Sequence, residues 1–204
     1  MALLTPKELD DLGSAIERAE ARTAGEIVVA VLKQSDDYQG ERLLNALLLG
    51  FGICALTLWL IPGLSGLYLL TLQPPIFLGS WYLLGVPPLM RALSLRNAAT
   101  LVHQRALRLF TEQGIAETRD RSGLLIMVSE LEQRVIILGD SGLHAKVGDP
   151  GWEKYVERIL AGIKTDSAAE ALLAVLEELS EVLTTHFPPR SDDTNELSNK
   201  VVLQ

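Results

Sequence analysis

Apolar and polar positions follow three rhythms along the chain, and each predicts an element. Thr5-Pro6-Lys7-Glu8 reads as a capping box with proline at the first helical position. Leu9, Leu12, Ile16 and Ala19 then recur at helical spacing to about Arg22, where Thr23-Ala24-Gly25 breaks the pattern. Residues 26–32, "EIVVAVL", form a β-branched run of strand length that is apolar on both faces, which predicts a central strand. Farther on, Val102, Ala106, Leu109 and Phe110 share one face of a helix over 97–113, with Gly114 as its C-cap. Residues 123–129, "GLLIMVS", and 134–138 are two more buried strands. The polar link between them is too short for anything but an antiparallel pair. Trp152, Tyr155, Val156, Ile159, Leu160 and Ile163 make one amphipathic stripe, and Leu172, Val175, Leu176, Leu179, Val182 and Leu183 another. Pro188-Pro189 closes the last helix, and the polar segment 190–204 reads as a flexible tail.

The third rhythm is an absence of polarity. Residues 43–90 contain no Asp, Glu, Lys, Arg or His. A transmembrane helix takes roughly 20 apolar residues, so this stretch predicts two spans and a tight turn at Pro62-Gly63. The first is read at about 43–61 and the second at about 69–90, with Pro74-Pro75 as an alternative, later start for the second. A buried helical hairpin of a soluble protein is the competing reading. It fares worse because a soluble core has no need of so long an uncharged segment. Lys33 and Arg42 precede the hairpin, and Arg91, Arg96, Arg105 and Arg108 follow it. The positive-inside rule then places both termini and the remaining residues on the cytoplasmic side of the plasma (inner) membrane. The N-terminus has no basic region followed by an apolar one, so no signal peptide is expected.

Charge and cysteine usage narrow the classes further. The net charge of −8 argues against nucleic acid as a partner. The single cysteine, Cys54, lies in the first span, which excludes an intrachain disulfide and a cysteine-based phosphatase mechanism. Three strands buried on both faces and four amphipathic helices predict a small α/β/α sandwich with a mixed sheet. Its domain, 1–42 with 91–189, is discontinuous and interrupted by the two-helix hairpin of 43–90.

The segments "TAGEIVVAV" and "RSGLLIMVSELEQRVIILGDSGLHAKVGDPGW" resemble the TPM domain, the thylakoid-lumen acid-phosphatase-like domain, and most closely its bacterial branch with a membrane hairpin inside the domain. The closing "DDTNELSN" is similar to that branch too, with Ser198 where proline is usual. The resemblance implies an α/β/α fold. It also implies a range of roles: acid phosphatase, divalent-cation binder, photosystem-repair factor or receptor accessory.

Familiar catalytic signatures are absent: no P-loop, no Gly-x-Gly-x-x-Gly, no His-Glu-x-x-His, no Gly-x-Ser-x-Gly. His103, His144 and His186 have no metal-ligand spacing. Chemistry therefore concentrates in the loop read after the third strand, where Asp140 and Asp149 are candidate metal ligands, joined by Glu26 if its strand end faces them. Arg121, Lys146 and His144 are candidate contacts for an anion or phosphate. Structural roles compete at each position. Asp149-Pro150 suits an N-cap and first helical residue, and Asp140-Ser141-Gly142 suits a turn. Two functions follow from different classes. The favoured one is a non-catalytic adaptor or assembly factor for a membrane protein complex, anchored in the lipid bilayer. The alternative is a metal-assisted phosphatase hydrolysing phosphomonoesters, with Mg rather than Ca on Asp140 and Asp149.

Overall fold

The computed structural model describes residues 3–93, 97–147, 150–190, 196–197 and 201–203. The chain forms two compact units: Met1–Ser35 with Ala99–Gln204, and Asp36–Ala98.

The first unit is built on a four-stranded mixed sheet. Its strands are β1 (Ile27–Leu32), β2 (Leu124–Ser129), β3 (Arg134–Gly139) and β4 (Val202–Leu203), in the order β3-β2-β1-β4. β1 runs parallel to β2 and β4, while β2 and β3 are antiparallel. Because side chains alternate across a strand, each inner strand feeds two cores. On one face Ile27, Val29, Val31, Leu124, Ile126 and Val128 pack against three helices: α1 (Pro6–Glu20), α7 (Pro150–Lys164) and α8 (Ala168–His186). On the other face Val28, Ala30, Leu32, Leu125 and Met127 pack against Val102, Ala106 and Leu109 of α5 (Ala98–Glu112). The described residues thus form the α/β/α sandwich, with α1, α7 and α8 on one side and α5 on the other.

Local chemistry sets the element ends. Thr5 Oγ1 accepts the Glu8 N–H while Glu8 reaches back to the Thr5 N–H, so the capping box at the start of α1 is complete. Gly114, at φ 71°, follows α5 in the left-handed region open to glycine and opens a 3-10 turn at Ile115–Glu117.

Three expectations are corrected. The segment after β3 is not simply a loop, since Ser141–Val147 forms a short helix, α6. No Pro or β-branched run opposes helix there, and Leu143 is fully buried as its anchor. β3 is an edge strand rather than a strand buried on both faces, because a lone helix on the α5 side leaves Ile136 and Leu138 only partly covered. The tail read as flexible supplies β4, and Leu197, Val201 and Val202 pack against the two cores.

The second unit holds α2 (Gln39–Leu60), α3 (Gly66–Leu84) and α4 (Pro87–Leu93). α2 and α3 are long and apolar enough to cross a membrane. α3 runs through Pro74 and Pro75 and ends at Leu84, so neither the later start at Pro74 nor an end at residue 90 holds. The prolines withhold two N–H groups from the carbonyls of Leu70 and Thr71. Beside that break, Ala46, Gly50, Leu70, Gln73 and Phe77 line a groove of about 270 Å³ between the helices. The Trp81 carbonyl, near the C-terminal end of α3, does not receive the Gly85 N–H one turn on, which goes to the Tyr82 carbonyl. The Trp81 carbonyl accepts instead from Arg42 Nε at 2.9 Å and Nη2 at 2.7 Å, while the Arg42 guanidinium lies 4.5 Å from the Trp81 ring. Gly85 makes room for this clamp, since a Cβ there would collide with the guanidinium.

Candidate functional site

Strand direction decides which residues meet. With β1 and β2 parallel and β3 antiparallel, the starts of β1 and β2 lie beside the end of β3. The register aligns Ile27 with Leu124 and Leu124 with Gly139. The residues just outside that row continue it: the Leu124 N–H donates to the Glu26 carbonyl and the Asp140 N–H to the Gly123 carbonyl, both at 2.8 Å. Glu26 and Asp140 therefore share one end of the sheet, two strands apart, on the order of 10 Å between backbones. The chain departs for the second unit from the other end of β1, after Leu32.

Asp140 is 7% exposed and caps α6. Its carbonyl accepts the His144 N–H at 2.8 Å, and its Oδ1 accepts the Ser141 N–H at 2.5 Å. Its Oδ2 is buried without a hydrogen bond, with Arg121 Nη1 at 3.8 Å as its counter-charge. Arg121 sits at φ 54° and also donates through Nη1 to the Ala116 carbonyl. α6 seats directly on this turn. The Leu143 N–H donates to the Arg121 carbonyl at 3.2 Å, and a Cβ on Gly142 would stand 2.8 Å from that oxygen and 2.9 Å from the Asp120 carbonyl. Glycine at 142 is what permits the approach.

Glu26 is 7% exposed and its Oε1 accepts the Glu196 N–H at 3.0 Å. Glu20, across the α1–β1 turn, accepts the Ile27 N–H at 3.1 Å. Burial pushes the Glu20 carboxyl up to about 7, with the Ile27 N–H opposing and the charges of Glu26 and Glu17 adding to the rise.

The cations are engaged. Lys146 Nζ donates to the His186 carbonyl at 2.8 Å and stands 3.8 Å from the Phe187 ring centroid. Arg190 is paired with Asp120, at 2.6 Å and 2.9 Å. Gly142, Lys146, Arg190 and Asp120 line a cleft of about 400 Å³ beside Phe187. His144 is exposed on α6.

Of the residues singled out in the sequence, the fold brings Glu26, Asp140 and Arg121 to one end of the sheet, with Lys146 and His144 on the adjoining α6. Asp149 lies outside the described residues, as does its role as a cap, while Pro150 does begin α7. Among the described residues no group of three or more His, Cys, Asp or Glu side chains is placed to hold a metal ion. Asp120, read with Arg121 as a further candidate at the start of the second strand, is here, but sequence reasoning missed Glu20 and Arg190, the partner of Asp120. Glu20 was within reach: a turn of a few residues between α1 and β1 obliges the last carboxylate of the helix to lie near the first residue of the strand.

Comparison with known proteins agrees with this architecture. Residues 92–182 match the TPM domain. The structure is similar to the solution structure of the BA42 protein from the psychrophilic bacterium Bizionia argentinensis, with TM-score 0.62 and 21% identity over 98% of this chain and 95% of that one. It is also similar to the N-terminal domain of a P. gingivalis protein, with TM-score 0.50 and 15% identity over 92% and 83% of the two chains. No curated protein matches the sequence.

Proposed function

For a chain that carries a TPM domain, we propose the role of a membrane-anchored adaptor: an α/β unit tethered by the α2–α3 hairpin that serves the assembly or upkeep of a membrane protein complex. In this reading α2 and α3 span the plasma membrane of a bacterium and both termini face the cytoplasm. The observation that carries it is the commitment of the charged side chains at the sheet end. Lys146 is bound to a carbonyl and an aromatic ring, Arg190 to Asp120, and Arg121 to Ala116 and Asp140. A phosphoryl-transfer site needs such cations free to meet developing negative charge. Cross-linking in native membranes, followed by isolation of the full chain, is expected to yield a membrane protein in fixed proportion. Recovery of the chain alone, from cells whose membrane complexes are unchanged by its deletion, would sink the proposal.

One observation favours the second reading, a phosphomonoesterase that uses Mg. Asp140 Oδ2 is buried with no hydrogen-bond donor, at the same sheet end as Glu26 and beside the cleft. A cation on Asp140, Glu26 and Asp149 would supply a Lewis acid there, and Arg121, Lys146 and His144 would contact phosphate after leaving their present partners. Thermal melting of the full chain with and without Mg separates the readings before any substrate is known. A site that binds raises the melting temperature with cation concentration, and that rise is lost in Asp140→Asn.

A further inference from the structure

β1 is the most apolar strand of the sheet, at 0–5% exposure along its whole length, and it feeds both cores. Without β4 it would be an edge. A long apolar edge is a template for pairing with another chain, and proteins cover such edges. Here the cover comes from the end of the chain itself. The Glu196 N–H donates to Glu26 Oε1 at 3.0 Å, and Glu196 Oε2 accepts the Arg119 N–H at 3.1 Å. Leu197 packs on the α5 side, and the adjacent Val201 and Val202 pack on opposite sides, as neighbours along a strand do. Val202 and Leu203 then pair in parallel with Ala30 and Val31.

The cover is thin. Among the described residues the ladder is two residues long, and Leu203 stays 58% exposed. The connection from Arg190 is polar and carries no apolar residue before Leu197. So short a strand is the weakest element of the sheet, because little apolar surface offsets the entropy of ordering it. Strand addition to an exposed edge is a recurrent way of binding an extended peptide, main-chain bonds giving affinity and alternate side chains specificity.

We propose that the β1 edge is a strand-acceptor site, held in the free chain by its own residues 196–197 and 201–203 and taken over by an extended segment of a partner protein with the same pattern. That pattern is a glutamate followed at once by leucine, then a Val-Val-Leu run four residues later. The Arg119 N–H meets the glutamate side chain at the first position, and Glu26 takes the main-chain N–H there. The faces of β1 read the apolar ones. The proposal rests on the adaptor reading and gives its partner a chemistry.

The test uses a labelled peptide of residues 191–204 and the full chain in detergent, intact or ending at Arg190. The shortened chain is expected to bind the peptide. The intact chain binds it more weakly, about tenfold if its latch is closed nine-tenths of the time. A peptide carrying Val202→Pro, which lacks the ladder N–H, is expected not to bind. Equal binding to both chains places the peptide elsewhere and overturns the proposal, as does no binding to a folded shortened chain. Hydrogen exchange on the intact chain covers the case in which the shortened one does not fold. Tail amides and the β1 amides facing them are expected to exchange well before β2, and exchange of all of them only with global unfolding overturns the latch. Dimers of the intact chain that dissolve on shortening would make the occupant a second copy and overturn the partner. A latch that passes these tests in a chain with no membrane partner sinks the adaptor reading alone.

Discussion

The two units of this chain use the same residues to opposite ends. β1 reads Ile-Val-Val-Ala-Val-Leu, and every one of those side chains is buried. α2 is also strongly apolar, with eight leucines, yet Leu44 is 57% exposed, Leu48 61% and Trp59 77%, and Tyr82 on α3 is 81% exposed. The sheet covers its apolar groups with protein. The hairpin leaves them facing outward along both helices, which is the arrangement suited to lipid. Polar groups divide the same way. In the α/β unit charged side chains close on one another across the sheet end, whereas in the hairpin the notable polar clamp is Arg42 on the carbonyl of Trp81. Hydropathy alone does not separate these uses; exposure does.

The contrast breaks most visibly under one substitution made twice. Ile126→Asp puts an unpaired carboxylate between α8 and the sheet and is expected to abolish cooperative melting of the α/β unit. Leu48→Asp should leave that melt unchanged and instead impair membrane integration by about 2.5–3.5 kcal/mol, read from a glycosylation-site insertion assay. Unfolding of the α/β unit by Leu48→Asp would mean that the hairpin is a protein core. Next in size is Gly142→Val, whose side chain meets two backbone carbonyls. It should lift α6 from the Asp120–Arg121 turn and lower stability by about 1–3 kcal/mol in urea denaturation. Arg42→Ala leaves the Trp81 carbonyl unsatisfied and should loosen α2 against α3 by about 1–2 kcal/mol, seen as faster proteolysis within 61–65.

The smallest effect is a pH dependence. Glu20 is raised in the folded state from 4.5 to about 7, chiefly by burial. A raised carboxyl favours folding fully below its unfolded pKa, and the contribution is lost as pH rises through about 7. Glu20→Gln should therefore melt a few degrees above the wild type near pH 8 and match it near pH 4. A constant difference across that range would show that Glu20 is not the titrating group.

Much of this was legible in the sequence, for identifiable reasons. The buried strands, the capping box and the stripes of α7 and α8 follow from periodicity, and the hairpin from the uncharged length of 43–90. The antiparallel β2–β3 pair follows from a link too short for a crossover, and it carries Asp140 to the start of β2, the end of the sheet at which Glu26 also stands. What was not legible depends on contacts between distant segments. α6 was read as a loop because Asp140-Ser141-Gly142 is good turn chemistry, yet a cap and a turn begin alike, and Leu143 finds its pocket only in the fold. The tail looked flexible because its composition is polar. Glu196 and Val202 are ordered by Glu26 and β1, from which they are separated by most of the chain. The end of α3 was misjudged because apolar residues continue past Leu84 into α4 without a charge to mark the break.

In the proposed role the sheet end carries structure and recognition rather than turnover. The most direct measurement is phosphomonoester hydrolysis by the purified full chain with Mg, beside its Asp140→Asn/Asp149→Asn variant. The two proteins are expected to be indistinguishable from each other and from buffer. Turnover by the wild type that disappears in the variant while the variant stays folded would contradict that role.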